Sequence, residues 1–377
     1  MAGKTGKLAT MQHTELLAFE AALRGKRVFL TGHTGFTGSW ASAWLLEIGA
    51  DVCGFSLAPE TSPSLWNELA VDGRMRSIIS DICNREALNE AVKSFAPHVV
   101  LHLAAQPLVR RSYREPFETF NANVMGTLNV LEAARHVPGI EAIVCVTTDK
   151  VYENKEWPWP YRENDPLGGK DPYSASKSAA EMVIQSYQYA FQTTDGRALP
   201  IATARGGNII GGGDWSEDRL VPDFVRAVTT ESVLTLRYPE ATRPWQHVLA
   251  LVQGYLMLAA RLIETPTAAA RSWNLGPADG RALTVRTVLE SLSSTWTRPN
   301  LDYLDNPAKE AQLLALDSTL ARDVLGWHPA WDVEQTIERT AAWYRDFYAG
   351  KQGAKEITAA QIAEWRRILL GRGQQAA

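Results

Sequence analysis

No apolar run in this sequence approaches the ~18 residues of a membrane span. The first 25 residues are somewhat basic, yet they lack the apolar stretch and small-residue cleavage site of a secretory signal. They read as an N-terminal extension over 1–24, with a short helix around 15–23 and Met11 as an alternative start. Charge of one sign is also missing: 38 Lys and Arg face 42 Asp and Glu, a formal −4. That argues against a general nucleic-acid binder. Cysteine is scarce. Cys53, Cys83 and Cys145 are an odd number, lie in or beside apolar runs, and have no neighbour at zinc-ligand spacing. They are expected to be buried, reduced thiols in a cytoplasmic protein. The seven histidines form no cluster that marks a metal site, and none is expected. There is no internal repeat and no low-complexity tract.

What the chain has is 377 residues, 45% of them apolar, enough for one large α/β unit or two domains. Short β-rich runs at 27–31, 51–57, 76–80, 99–103 and 142–147 alternate with helical patterns at 36–48, 85–95 and about 116–136. A further helix is expected over 172–191 and a strand over 200–204. Strands apolar on both faces, separated by helices, predict a doubly wound parallel sheet of Rossmann type. Beyond the glycine-rich stretch 206–213, which reads as flexible, the elements become shorter: a strand at 233–237, a helix at 248–263, a strand at 272–275. The chain therefore divides into a dinucleotide-binding domain at 25–205 and a smaller C-terminal α/β substrate domain at 206–377, with 248–275 able to return to the first. Thr358-Ala359-Ala360-Gln361 has the form of a capping box for a last helix.

Three motifs carry chemistry. Gly32-His33-Thr34-Gly35-Phe36-Thr37-Gly38 follows a predicted strand and opens a predicted helix. Its glycines allow a tight turn and close approach of backbone to a pyrophosphate, which the free N–H groups of the helix start then face. The spacing is G-x-x-G-x-x-G. At the end of the second strand, where an acid would hold a ribose, stand Gly54-Phe55-Ser56-Leu57, and no arginine replaces it to take a 2′-phosphate. NAD is therefore a preference. Asp81 and Ile82, after the third strand, suit either an adenine edge and face or a helix cap. Tyr173 and Lys177 stand four apart, so a helix carries both on one face. A neighbouring ammonium favours the phenolate and lowers its pKa. Thr147-Thr148-Asp149-Lys150 ends a strand upstream of them.

The glycine turn, His102-Leu103-Ala104-Ala105, Asn123-Val124-Met125-Gly126-Thr127 and Tyr173/Lys177 resemble the extended short-chain dehydrogenase/reductase family that works on nucleotide sugars, over about residues 25–345. Within it, Gly32–Phe36, Gln106-Pro107-Leu108-Val109-Arg110, Thr148-Asp149-Lys150, Tyr152-Glu153-Asn154, Gly211-Gly212-Gly213-Asp214-Trp215 and Ala241-Thr242-Arg243-Pro244-Trp245-Gln246-His247 are similar to the group of 4,6-dehydratases acting on CDP-glucose. The resemblance implies a lyase with tightly held NAD, which turns CDP-glucose into CDP-4-dehydro-6-deoxyglucose and water, a deoxysugar precursor for surface polysaccharides. It implies cofactor contacts from Gly32, Thr34, Gly35, Phe36, Gly38, Asp81, Ile82, Leu103, Ala104, Ala105, Tyr173 and Lys177. Substrate contacts would come from Gln106, Asn208 and Arg243, with Arg110 and Arg111 nearby. Thr148 would bind the sugar O4, Tyr173 take its proton, and Asp149 and Lys150 serve as acid and base, unless those two charges simply pair. Trp157 and Trp159 form either a lid or bland packing. A homodimer or homotetramer is implied, with no nucleic-acid or membrane partner. An epimerase of the same family, a dehydratase for another nucleotide, and a non-catalytic dinucleotide-binding scaffold are the alternatives. Asp149-Lys150 separates dehydratase from epimerase, and the retained Tyr/Lys pair weighs against the scaffold.

Overall fold

The computed structural model of the chain describes residues 16–376 apart from 72, 237, 278–282 and 304–313. Residues 1–15 of the expected extension and Arg237 lie outside the described residues. Six strands and eight helices build the first half: α1 (Ala18–Leu23), β1 (Arg27–Thr31), α2 (Phe36–Glu47), β2 (Asp51–Ser56), α3 (Leu65–Leu69), β3 (Arg76–Ile79), α4 (Arg85–Phe95), β4 (Val99–His102), α5 (Val109–Arg114), α6 (Pro116–Phe120), α7 (Gly126–Arg135), β5 (Ala142–Thr148), α8 (Pro172–Ala190) and β6 (Ile201–Gly206). Between α6 and α7 the helix widens into a π-turn at Asn121–Met125. The strand Ser272–Leu275 joins the same parallel sheet, whose order is Ser272–Leu275, β6, β5, β4, β1, β2, β3. The order reverses between β1 and β4, and ligands of open α/β sheets bind beyond the strand ends at such a point.

The period-2 alternation of strand side chains explains why these strands are apolar throughout. Val28, Leu30, Val52, Val99, Leu101, Ala142 and Val144 enter the core on one face of the sheet. Phe29, Cys53, Phe55, Val100, Ile143, Cys145 and Ile201 enter the core on the other. The edge strand β3 is mostly exposed. All three cysteines are free: Cys53 and Cys145 are buried and Cys83 is half-buried. No helix among the described residues is long and apolar enough to cross a membrane.

Tryptophan organises the larger core. Trp40, Trp44, Trp273, Trp327, Trp343 and Trp365 are fully buried, and each indole N–H finds an acceptor, as burial of that group requires. Trp40 donates to the Gly212 carbonyl and Trp44 to Glu20. Glu20, on α1, also takes two bonds from Arg366, so the two chain ends clasp the apolar helix α2 between them.

Two expectations fail here. The stretch 206–213 is not loose: Ile209–Ile210 pairs with Gln246–His247, and the Tyr344 hydroxyl bonds the carbonyls of Gly211 and Asp214. The glycines serve close packing against Trp343 and Leu65 rather than mobility. Thr358 caps nothing, since the last helix starts at Ala354; its hydroxyl accepts the Trp343 indole N–H from inside that helix.

Candidate active site

α8 packs against β5 and β6, which brings Thr148 and Asp149 at the carboxyl end of β5 near Tyr173 and Lys177 in the first half of α8. Gly32 closes the first turn at φ +76°, a conformation that disfavours a side chain, and a Cβ on it would lie 2.8 Å from the Ala104 nitrogen. A Cβ on Gly38 would lie 2.0 Å from the Gly32 carbonyl oxygen. Gly35 is the N-cap of α2 and no side chain caps that helix start. Its backbone N–H groups are thus available to phosphate, so the turn fits a dinucleotide. At the end of β2, Thr34 Oγ1 donates to the Leu57 carbonyl and pairs with Ser56 Oγ at 2.8 Å. Leu103, Ala104 and Ala105 continue from β4, with Ala104 N donating to Thr31 Oγ1.

Ile82 is buried against Gly126. Asp81 lies two residues beyond β3, exposed, and accepts from Cys83 N; Asn84 caps α4. Gln106 turns inward on its own loop, donating to Thr119 Oγ1 and the Leu108 carbonyl while accepting from Leu108 N. Arg110 pairs with Asp218, and Arg111 with Glu60 and Glu115. Asn208 precedes the short strand Ile209–Ile210, and its carbonyl accepts from Gln246 N. Trp157 stacks on Tyr161 and Trp159 is largely exposed, so packing accounts for the first and not the second.

Thr148 is the last residue of β5, and Asp149 opens a 3₁₀ turn. Tyr173 and Lys177 follow the Asp171 N-cap of α8, one turn apart. Thr148, Asp149, Tyr173 and Lys177 are all at most 7% exposed. Thr148 Oγ1 donates to Asp149 Oδ1 at 3.0 Å and lies near enough to the Tyr173 phenol to favour its ionised form. Asp149 Oδ2 is buried with no partner and points toward Gly207, 3.1 Å from where a Cβ there would sit. Arg243, on the strand Thr242–Arg243, is close enough to act on that carboxyl. Burial raises the Asp149 carboxyl above its ordinary value, against the pull of Lys150, Thr148 and Arg243. A carboxyl held toward its neutral form, with a free oxygen, is built to give a proton.

The expected lowering of the Tyr173 pKa is absent. Burial drives the phenol up to about 12, with Thr148 opposing, and drives Lys177 down to about 8. Lys177 Nζ donates to the Val146 carbonyl at 3.1 Å. Desolvation of both groups outweighs their spacing on the helix.

Sequence reasoning gave no role to Asn123, Ser176 or His102. The π-turn aims Asn123 Nδ2 at Ser176 Oγ and the Gln106 carbonyl, tying the loop after β4 to α8. Such widened turns favour functional sites, and Asn123 stood inside a recognised motif without a role. His102 Nδ1 meets Thr31 Oγ1 and Nε2 meets Thr127 Oγ1. Thr127 gives its own hydrogen to the Asn123 carbonyl, so Nε2 carries the imidazole proton. His98 and His102 stand four apart in the sequence. On a strand they are roughly 13 Å apart, and His98 Nδ1 accepts from Arg27 N at the far end.

The family model described as GDP-mannose 4,6 dehydratase matches residues 29–340. CDP-glucose 4,6-dehydratase of Salmonella typhimurium is 43% identical over 333 residues, 87% of this chain and 93% of that one. dTDP-glucose 4,6-dehydratase of Streptomyces griseus is 30% identical over 332 residues, 84% and 93% of the two chains. Among solved structures, the dTDP-glucose 4,6-dehydratase DesIV of Streptomyces venezuelae, with NAD and TYD bound, superposes with a TM-score of 0.73 at 23% identity, over 86% of this chain and 98% of that one.

Proposed function

Because the chain belongs to the GDP-mannose 4,6-dehydratase family, we infer that it is an NAD-dependent hydro-lyase converting CDP-glucose to CDP-4-dehydro-6-deoxyglucose and water. The observation that favours dehydration over epimerisation is the buried Asp149 carboxyl, held toward neutrality with one oxygen unpartnered beside Thr148 and Gly207. An epimerase has no use for a proton donor at C6.

Bound NAD would supply the hydride acceptor for C4 of the sugar and the hydride donor for C6. Gly32, Gly35, Phe36 and Gly38 would hold its pyrophosphate, with Thr34, Ile82, Leu103, Ala104 and Ala105 around it, and Asp81 would contact the adenosine side. Tyr173 takes the O4 proton, Thr148 holds O4, and Lys177 supports the phenolate. The 4-ketone acidifies the C5 proton. Lys150 removes that proton and returns it to C5 once C6 has received its hydride, and Asp149 protonates the departing C6 hydroxyl. Arg243 and Asn208 bind the sugar nucleotide. The internal hydrogen bonds of Gln106 favour a role in shaping the loop rather than direct contact. Residues 25–205 with 248–275 form the cofactor unit and the remainder of 206–377 the substrate unit.

The base preference is carried by the 43% identical relative. CDP-, dTDP-, UDP- and GDP-glucose assayed side by side should give kcat/KM at least tenfold higher for the CDP sugar. A 4-epimer as product would overturn dehydration, and a better substrate among the other three would reassign the base.

A homodimer completes the proposal. Tyr113, Phe117, Phe120 and Met125 on α5 to the π-turn, and Met182 and Tyr189 on α8, form an exposed apolar face on adjacent helices. Phe117→Glu with Tyr189→Glu should sediment as a monomer; an unchanged dimer would place the interface elsewhere.

A further inference from the structure

Glu181 stands one helical turn beyond Lys177 on α8 and is 0% exposed, while Arg205 on β6 is 1% exposed. Arg205 gives Glu181 two parallel bonds, Nε to Oε1 and Nη2 to Oε2, both 2.9 Å. Thr147 Oγ1 donates to Oε1 at 2.6 Å and Thr203 Oγ1 to Oε2 at 3.3 Å. The other Arg205 donors reach the Tyr152 hydroxyl, the Glu163 carbonyl and Ser272 Oγ. Taking both charges out of water is costly, and an apolar pair of similar volume is often as stable. An ion pair this deep therefore calls for a purpose besides stability.

Its position relative to Lys177 supplies one. Besides the Val146 carbonyl, Lys177 faces Cys145 from β5, His102 from β4, and Tyr173 and Glu181 from its own helix. Burial keeps the Cys145 thiol up at about 12 and the His102 imidazole down at about 3, so both are neutral near pH 7. Glu181 is then the ionised group that opposes the loss of the Lys177 proton. Tyr173 in turn faces Thr148, Asp149, Asp171, Arg219 and the neutral Tyr255. Arg205, Glu181 and Lys177 alternate in charge, and Lys177 stands one turn from Tyr173 on α8. The pair also grips the catalytic segment at both ends: Thr147 immediately precedes Thr148, and Tyr152 immediately follows the turn Asp149–Val151.

We propose that Glu181, clamped by Arg205, is a positioning residue that keeps Lys177 charged for Tyr173 and fixes the segment bearing Thr148 and Asp149. The proposal rests on Tyr173 and Lys177 being the proton-transfer pair. Glu181→Gln removes the counter-charge, so Lys177 loses its proton at lower pH and the phenol ionises at higher pH. The limb of kcat/KM that rises with pH should move about one pH unit to the alkaline side, which is about tenfold less activity on that limb. Since Glu181→Gln leaves Arg205 buried and unpaired, the double variant Glu181→Gln/Arg205→Met is the control for folding. It should show a displacement in the same direction but smaller, because removing Arg205 also removes a positive charge that disfavours the Lys177 ammonium. The Lys177 amine, followed by its 13Cε resonance with Lys177→Arg as the assignment blank, should titrate below its wild-type value in both. Loss of activity equal at every pH, with the Lys177 titration unmoved, would overturn the proposal and leave a structural ion pair. Full activity in Tyr173→Phe would instead refute the underlying assignment of the proton-transfer pair.

Discussion

Tyr173→Phe should lower kcat about 10²–10⁴-fold, about 3–5 kcal/mol of barrier, and leave cofactor and CDP-glucose bound nearly as before. The substitution removes one oxygen from a ring that is 7% exposed, so the packing of α8 survives. The loss leaves no stranded partner either, because Thr148 still donates to Asp149 Oδ1. Burial sets the phenol at about 12, so near neutrality it is protonated. Taking the O4 proton needs the phenolate, and the wild-type kcat/KM should therefore rise with pH. That limb should vanish in the Phe variant. Stopped-flow turnover across pH, with bound cofactor measured separately, makes the check. Activity within tenfold of wild type would remove Tyr173 from the chemistry.

Asp149→Asn should separate the two halves of the reaction. Formation of the 6-deoxy-4-keto product should fall about 10²–10⁴-fold, since an amide cannot protonate the departing hydroxyl. Oxidation at C4 and loss of the C5 proton rely on Tyr173 and Lys150 and should persist, so CDP-glucose recovered from D₂O should carry deuterium at C5. Continued dehydration at the parental rate would give the acid role to another group.

Stability should move the other way. The carboxyl pKa is raised in the folded protein above its ordinary 3.8. Such a group binds its proton more tightly folded than unfolded, and costs stability once the pH exceeds 3.8. Asn carries no such cost. The variant should thus melt higher than the wild type at pH 7, and the gap should close as the pH falls toward 3.8. Together the two outcomes would make Asp149 a case of stability exchanged for activity.

The π-turn at Asn121–Met125 shows where sequence reasoning fell short. A helix over 116–136 has the right apolar period, but one extra residue per turn changes no local propensity that a pattern can register. It decides only where the Asn123 amide points. Thr358 misled for a related reason: a Thr followed three residues later by Gln looks the same at a helix start and inside one. The Ala354 start depends on how that helix lies against Trp343 and α2.

The parallel sheet, the glycine turn, the Tyr/Lys helix and the Thr-Asp-Lys strand end were legible in the chain. They follow from period, turn chemistry and spacing, all local along it. The packed fold set the protonation of these groups, because desolvation depends on everything around an atom. It raised Tyr173, lowered Lys177 and held Asp149 toward its neutral form. It also brought Arg205 and Glu181 together across 24 positions of sequence, beneath a lysine whose charge no local pattern could have set.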